Sequence, residues 1–231
     1  MDDKPDVKAQ ARRDAKRLMR MSRTGALATL DSGAPLATLV GVASDWDGAP
    51  LFLMSDLARH TRNLADDPRA ALLLSSPRGR GDPLNLPRVT LKGVVRRRSG
   101  EDGRDRYLGR NPKAKLYVNF TDFSLRRLEI EAVHFNGGFG RADALTPLDL
   151  LTPGNSDALA AAKPKLLARA AALGEAAFAT LVGGARRAWR PIGLDAEGLD
   201  LGAGGEVARI DFAAPAYEPD SWWAALSALS P

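Results

Sequence analysis

Between Pro50 and Leu74 the chain reads PLFLMSDLARHTRNLADDPRAALLL, and this order of residues leaves few folds open. Leu51-Phe52-Leu53-Met54 and Ala70-Ala71-Leu72-Leu73-Leu74 are short apolar runs bounded by turn residues, so both are predicted as core strands. The polar segment between them has helical length. Ser55 or Asp56 can cap it, and Pro68 stops it, because the residue before a proline avoids helical geometry. A strand, a short helix and a second strand therefore form the expected centre of the fold.

The first turn of that helix carries Arg59, His60, Thr61 and Arg62. Unpaired backbone N–H groups and the positive end of the helix dipole point the same way, an arrangement that suits an anion and above all a phosphate. Arg59 can offer a bidentate fork, with His60 as a supporting donor. The competing account is that Arg59 and Arg62 are simply solvated, and the local pattern leaves both open.

The flanking segments extend the pattern. Residues 8–22 put Ala11, Ala15, Leu18 and Met19 at helical spacing, with Arg and Lys opposite. Ala26 to Leu30 is a predicted strand, and Asp31-Ser32-Gly33-Ala34 a hairpin turn. Leu36 to Ala43, with Leu39, Val40 and Val42, is expected to be buried on both faces. A Gly- and Pro-rich loop spans 77–87. Val89 to Arg98 alternates as a strand with Gly93 marking a bulge or a close backbone approach, and residues 101–119 read as two short helices split at Asn111-Pro112. Leu128 to Phe135 alternates strictly and closes the sheet. Antiparallel strands joined by short turns indicate a meander or small barrel.

Composition narrows the function. The 231 residues are 45% hydrophobic and 26% charged, as expected of a soluble globular chain. No apolar run approaches the roughly 20 residues of a membrane helix, and the first residues lack the apolar centre of a secretory signal, so a cytoplasmic location without membrane partners is expected. No cysteine is present and only two histidines, which argues against disulfides and a structural zinc site. The net charge of +5 raises a nucleic-acid reading. Its arginine clusters, Arg126-Arg127 among them, are scattered and lack interleaved aromatics, so solvated surface is the expected account and no nucleic-acid partner is expected.

The ordered pieces FLMSDLARHTRNLADDPRAALLL, PRVTLKGVV, RYLGRNPKA and GGFGRA carry a resemblance. Residues 15–150 resemble the pyridoxamine 5′-phosphate oxidase-like, FMN-binding split β-barrels, and in particular the haem-utilisation subgroup of the HugZ type. The resemblance implies an α+β fold, an antiparallel split β-barrel, with FMN at a homodimer interface and a small-molecule substrate. It assigns FMN contacts to Thr38, Leu39 and Val40, to Met54 and Ser55, to Arg59 and His60, and to Arg88. Tyr107 and Arg110 match part of the oxidases' substrate clamp. Several positions depart from the oxidase pattern. Ala58 lacks a hydroxyl, His60 stands for a lysine and Thr38 for an arginine. Removing one charged hydrogen bond to phosphate costs about 1.5–3 kcal/mol, so FMN binding weaker than an oxidase's is implied. The oxidases' C-terminal Trp…Arg-Leu-x-Pro segment is missing, which counts against pyridoxamine phosphate as substrate.

After the LTPG linker, the chain resembles the small α+β domain that follows the barrel in haem-utilisation homologues, through GLDAEGLDL and RIDFAAP. The expected division is 8–150 for the barrel and 155–231 for this domain. Ser156 to Leu173 is a predicted helix kinked or split at Pro164; three strands and a helix from Asp220 follow. Haem-binding members ligate iron through a C-terminal histidine, and none occurs after His134. His134 itself reads as structural. The expected function is an FMN-dependent oxidoreductase without an evident catalytic residue; the alternatives are a haem-binding protein or a ligand-binding module without turnover.

Overall fold

The computed structural model describes residues 7–75, 82–138, 142–183 and 187–229. They form two compact units, Met1–Leu151 and Thr152–Pro231.

In the first unit, α1 (Val7–Met21) turns Ala11, Ala15, Leu18 and Met19 onto the core. It leads into the hairpin β1 (Thr24–Asp31) and β2 (Ala34–Gly41). Ser32 and Gly33 at the tip have φ of 52° and 87°, the left-handed pair that a tight hairpin matched to strand twist requires. Next come β3 (Ala43–Ser44), β4 (Pro50–Ser55), α2 (Arg59–Asp66) and β5 (Arg69–Ser75). The polar segment is a helix as expected. Its N-cap is Ala58, with no side-chain cap, because the Ser55 hydroxyl bonds Asp122 and accepts Leu57 N–H instead.

Residues 77–81 of the expected loop lie outside the described residues, and Pro83–Asn85 is a 3₁₀ turn. β6 (Arg88–Arg97), α3 (Glu101–Arg110), a 3₁₀ turn (Pro112–Leu116), β7 (Phe123–Asn136), β8 (Ala142–Asp143) and α4 (Pro147–Leu150) complete the unit. The GGFGRA piece lies partly outside the described residues. The β6–β7 register shifts between Lys92 and Gly93, the expected bulge; a Cβ at Gly93 would collide with the Glu129 carbonyl oxygen.

The sheet runs β2-β1-β5-β6-β7-β4-β3, antiparallel throughout, with β8 on β7. Its two edges, β2 and β3, are separated in the chain by Val42 alone, whose N–H donates to the Arg23 carbonyl at 2.8 Å. Edges so joined force the sheet to curl. The chain folds as an α+β antiparallel split barrel. The inner face gathers Leu27, Phe52, Leu72, Leu74, Leu91, Leu128 and Phe135. β2 departs from expectation. Among the described residues it pairs only with β1, so as an edge strand it buries one face, and Leu39 is 77% exposed.

In the second unit, α5 (Asp157–Ala171) runs unbroken through Pro164, and α6 (Gly174–Leu181) follows. β9 (Arg190–Asp195), β10 (Gly198–Ala203) and β11 (Glu206–Asp211) form one antiparallel sheet, and α7 (Pro219–Leu229) buries Trp222. The indole N–H of Trp222 donates to the Asp195 carbonyl at 2.9 Å, and its ring meets Phe212 edge-on at 5.4 Å. Arg209 is fully buried among Asp195, Asp200 and Asp211, at 2.5, 2.8 and 2.7 Å.

Candidate functional site

Strand alternation sorts the predicted site residues onto two faces of the barrel. Thr38, Val40 and Met54 point inward. Val40 and Met54 are buried in the core. Leu39 points outward and is exposed.

The structure brings Thr38 and His60 together: the hydroxyl and Nδ1 share a hydrogen bond of 3.1 Å. Burial, reinforced by the guanidinium of Arg126, pushes the His60 imidazole below its ordinary range and favours the neutral ring. Arg59 stands apart from this pair. Its Nε and Nη2 grip Asp31 at 2.9 and 2.6 Å, a bidentate pairing that holds the Asp31 carboxyl below its usual range. The fork expected to meet a phosphate is thus closed on the end of β1, although the pair is exposed. Ser55 donates to Asp122, and Arg88 donates to the Leu84 carbonyl at 2.8 Å.

Tyr107 and Arg110 lie deep, at 3% and 5% exposure, where α3 packs on the outer face beside Leu51 and Leu125. Burial raises the Tyr107 phenol to about 12. Tyr107 is part of this packing.

The expectation that the basic clusters are solvated fails at Arg126-Arg127. Adjacent residues of a strand face opposite ways, and neither side chain here is free in water. Arg127 faces outward and bonds Asp47 at 2.9 and 2.6 Å and Asp45 at 2.9 Å. Burial pulls its guanidinium down, but those carboxylates more than offset this and raise it. Arg126 faces inward at 8% exposure, opposite Phe52 on β4 and Arg97 on β6. Its ion pair with Asp56 is long, 3.4 Å, and Arg97 shares that carboxylate at 3.7 Å. Burial, then the charge of Arg97, pushes the Arg126 guanidinium below its ordinary range. The signal for this residue was present in the sequence. Ser124 and Arg126 hold the phase of Leu128, so they are polar residues on the core face of a strand.

The outer face carries a second grouping. Leu39, Ala26, Leu73, Thr90 and His134 are cross-strand partners in one row over β2, β1, β5, β6 and β7. Leu73 is 40% exposed and His134 is also exposed. Arg88 and Lys92, two residues either side of Thr90, present cations beside the row. Among the described residues, no helix is long and apolar enough to cross a membrane.

Comparison with known proteins adds the family. Residues 5–150 match the family described as CREG, beta-barrel. A protein of unknown function from Agrobacterium tumefaciens is 36% identical, with 95% of each chain covered and a TM-score of 0.82. A heme binding protein from Mycobacterium smegmatis is 33% identical, covering 98% of this chain and 96% of its own, with a TM-score of 0.57. The non-canonical heme oxygenase HOZ, chloroplastic, of Arabidopsis thaliana is 36% identical over 113 residues, 48% of this chain and 34% of that protein. The chain spans about a third of the length of that curated relative. By fold and by sequence, this chain belongs to the CREG-type β-barrel family, within the split barrels akin to pyridoxamine 5′-phosphate oxidase.

Proposed function

We propose that this protein binds haem, and that haem rather than FMN is its principal ligand. The observation that carries the reading is the outer row ending at His134. From Leu39 to His134 it spans four strand spacings, about 19 Å, enough for a flat macrocycle. Small and aliphatic side chains would support the ring, His134 offers an imidazole for iron, and Lys92 and Arg88 are cations suited to propionates. Bound haem would supply iron redox chemistry. The chain's own part is to seat the ring, orient it and shield it from water.

The residues assigned to flavin fit less well. Arg59 is engaged by Asp31, and His60 is engaged by Thr38 and held toward its neutral form. The heme-binding and heme oxygenase names of relatives at 33% and 36% identity support the same choice. A homodimer is part of the reading. β2 is an exposed edge with Leu39 outward, and a second copy over this face would enclose the ligand.

The test is a haemin titration of the full chain followed by absorption. A saturable Soret band is expected that shifts or collapses in His134→Ala and persists in His60→Ala. Loss in His60→Ala alone would move the ligand to the barrel mouth. Saturable flavin bands without a Soret change would restore FMN-dependent oxidoreduction as the function.

A further inference from the structure

The positive charge of this protein is concentrated in one helix. The whole chain has a formal net charge of +5. α1 holds Lys8, Arg12, Arg13, Lys16, Arg17 and Arg20 against Asp14 alone, which is also a net of +5, so the rest of the sequence balances to zero. With Asp2, Asp3 and Asp6 ahead of the helix counted in, residues 1–21 still carry seven cations against four acids.

This arrangement works against the helix itself. Lys8 and Arg12, Arg12 and Lys16, and Arg13 and Arg17 are like charges four residues apart, and each such pair disfavours a helix. No acid stands in the first turn, where the helix dipole would favour one. Ala11, Ala15, Leu18 and Met19 take one side of α1 into the inner core. Lys8, Arg12, Arg13 and Arg17 are left exposed along about 14 Å of helix. Asp14 accepts from Gln10 at 2.8 Å, and Arg13 donates to the same neutral side chain.

α4 adds an apolar group beside these cations. One oxygen of Asp149 accepts from Arg12 at 2.8 Å, and the other takes the Thr146 N–H and hydroxyl at 2.9 Å. These bonds pin α4 to α1, yet the Arg12 side chain stays 47% exposed. Leu145 and Leu150 turn into the core, whereas Leu148 between them is 79% exposed.

We infer that the outward face of α1 and Leu148 form a docking surface for an anionic lipid bilayer. A plane of lipid headgroups is negative everywhere, so rows of Lys and Arg need no fixed register to meet it. Their long side chains reach the headgroups while Leu148 enters the apolar boundary below. That leucine favours a bilayer over a nucleic acid, which offers a polyanion with no apolar layer beneath it. The contact is peripheral, unlike a membrane-spanning helix, which no described helix forms. It is also separate from the haem row, since α1 packs on the inner core and the row lies on the outer face of the sheet.

The test is sedimentation of the full chain with vesicles of phosphatidylglycerol and phosphatidylcholine in equal parts, and with vesicles of phosphatidylcholine alone. Binding to the first is expected, about tenfold or more above the second, and it should weaken as salt rises from about 50 to about 300 mM. Arg13→Glu with Arg17→Glu should lower partitioning about tenfold or more. Arg13→Lys with Arg17→Lys should retain it, which separates charge from a folding defect. Leu148→Ser should lower it several-fold with the salt dependence kept. The inference is overturned if both vesicles bind equally or not at all, or if the charge-reversed chain binds as the parent does. Without vesicle binding, a change of oligomeric state on charge reversal would give the face to a second copy of the chain, and retention of duplex DNA would give it to nucleic acid.

Discussion

Arg126 and Arg209 are both buried on strands, one in each unit of the molecule, and their surroundings differ. Arg209 in β11 is met by three carboxylates within 2.8 Å. Burial pulls its guanidinium down, but Asp195 and Asp200 raise it well above the ordinary value. Arg126 in β7 has one long contact to a half-exposed carboxylate that it shares with Arg97. The net shift runs the opposite way. Burial of a charge is tolerated where partners offset desolvation, so Arg209 is held by its carboxylates while Arg126 is left with too few.

The contrast breaks most directly on stability. Arg209→Leu leaves three carboxylates facing one another, two of them buried, and should destabilise the chain by about 3–5 kcal/mol. Arg126→Gln should change stability by about 1 kcal/mol or less, because the native pairing contributes little there. Urea unfolding of both variants in phosphate-free buffer measures this. An equal loss would remove the distinction.

Asp56 sharpens it. This carboxylate is the acceptor that now occupies part of the Arg126 guanidinium. Asp56→Asn should therefore cost about 1 kcal/mol or less in urea unfolding, because the pair is long and its carboxylate half-exposed. A larger loss would make Asp56 a structural partner of Arg126 in the manner of the carboxylates around Arg209.

His60 provides the smallest test. Its folded pKa lies below the ordinary 6.5, so the unfolded chain binds the proton more readily. The stability this ring contributes is fully present above 6.5 and is lost as pH falls through the folded pKa. Unfolding measured at about pH 7.5 and about pH 5.5 should show a drop that His60→Gln reduces. An unchanged drop would assign it to other groups.

Much of the fold was legible because its signals are local. Period-two alternation marks β6 and β7, and Gly93 interrupts the first with no room for a side chain. Pro68 ends α2, and Ser32-Gly33 closes the first hairpin by backbone conformation alone. Pro164 does not split α5, which continues through it. The existence of β2 was readable but its neighbours were not, so a strand expected over Leu36 to Ala43 with both faces buried runs from Ala34 to Gly41 at the sheet edge.

The site was legible only in part. Residue type and spacing identified Arg59 and His60 as positions of interest, and the resemblance supplied Thr38 and the family. Partnership was decided in three dimensions. Asp31, far from Arg59 in the chain, closes its fork; Leu39, Ala26, Leu73, Thr90 and His134 align only through four strand pairings. Arg126-Arg127 shows the physical reason. In sequence they are one basic pair. In a strand their side chains leave opposite faces, and what each meets is set by the neighbouring strands and by Asp45, Asp47 and Asp56 on other segments. Local sequence determines which way the backbone turns and which side a residue takes. Whether a charge finds its counter-charge depends on the long-range register, and that belongs to the tertiary structure.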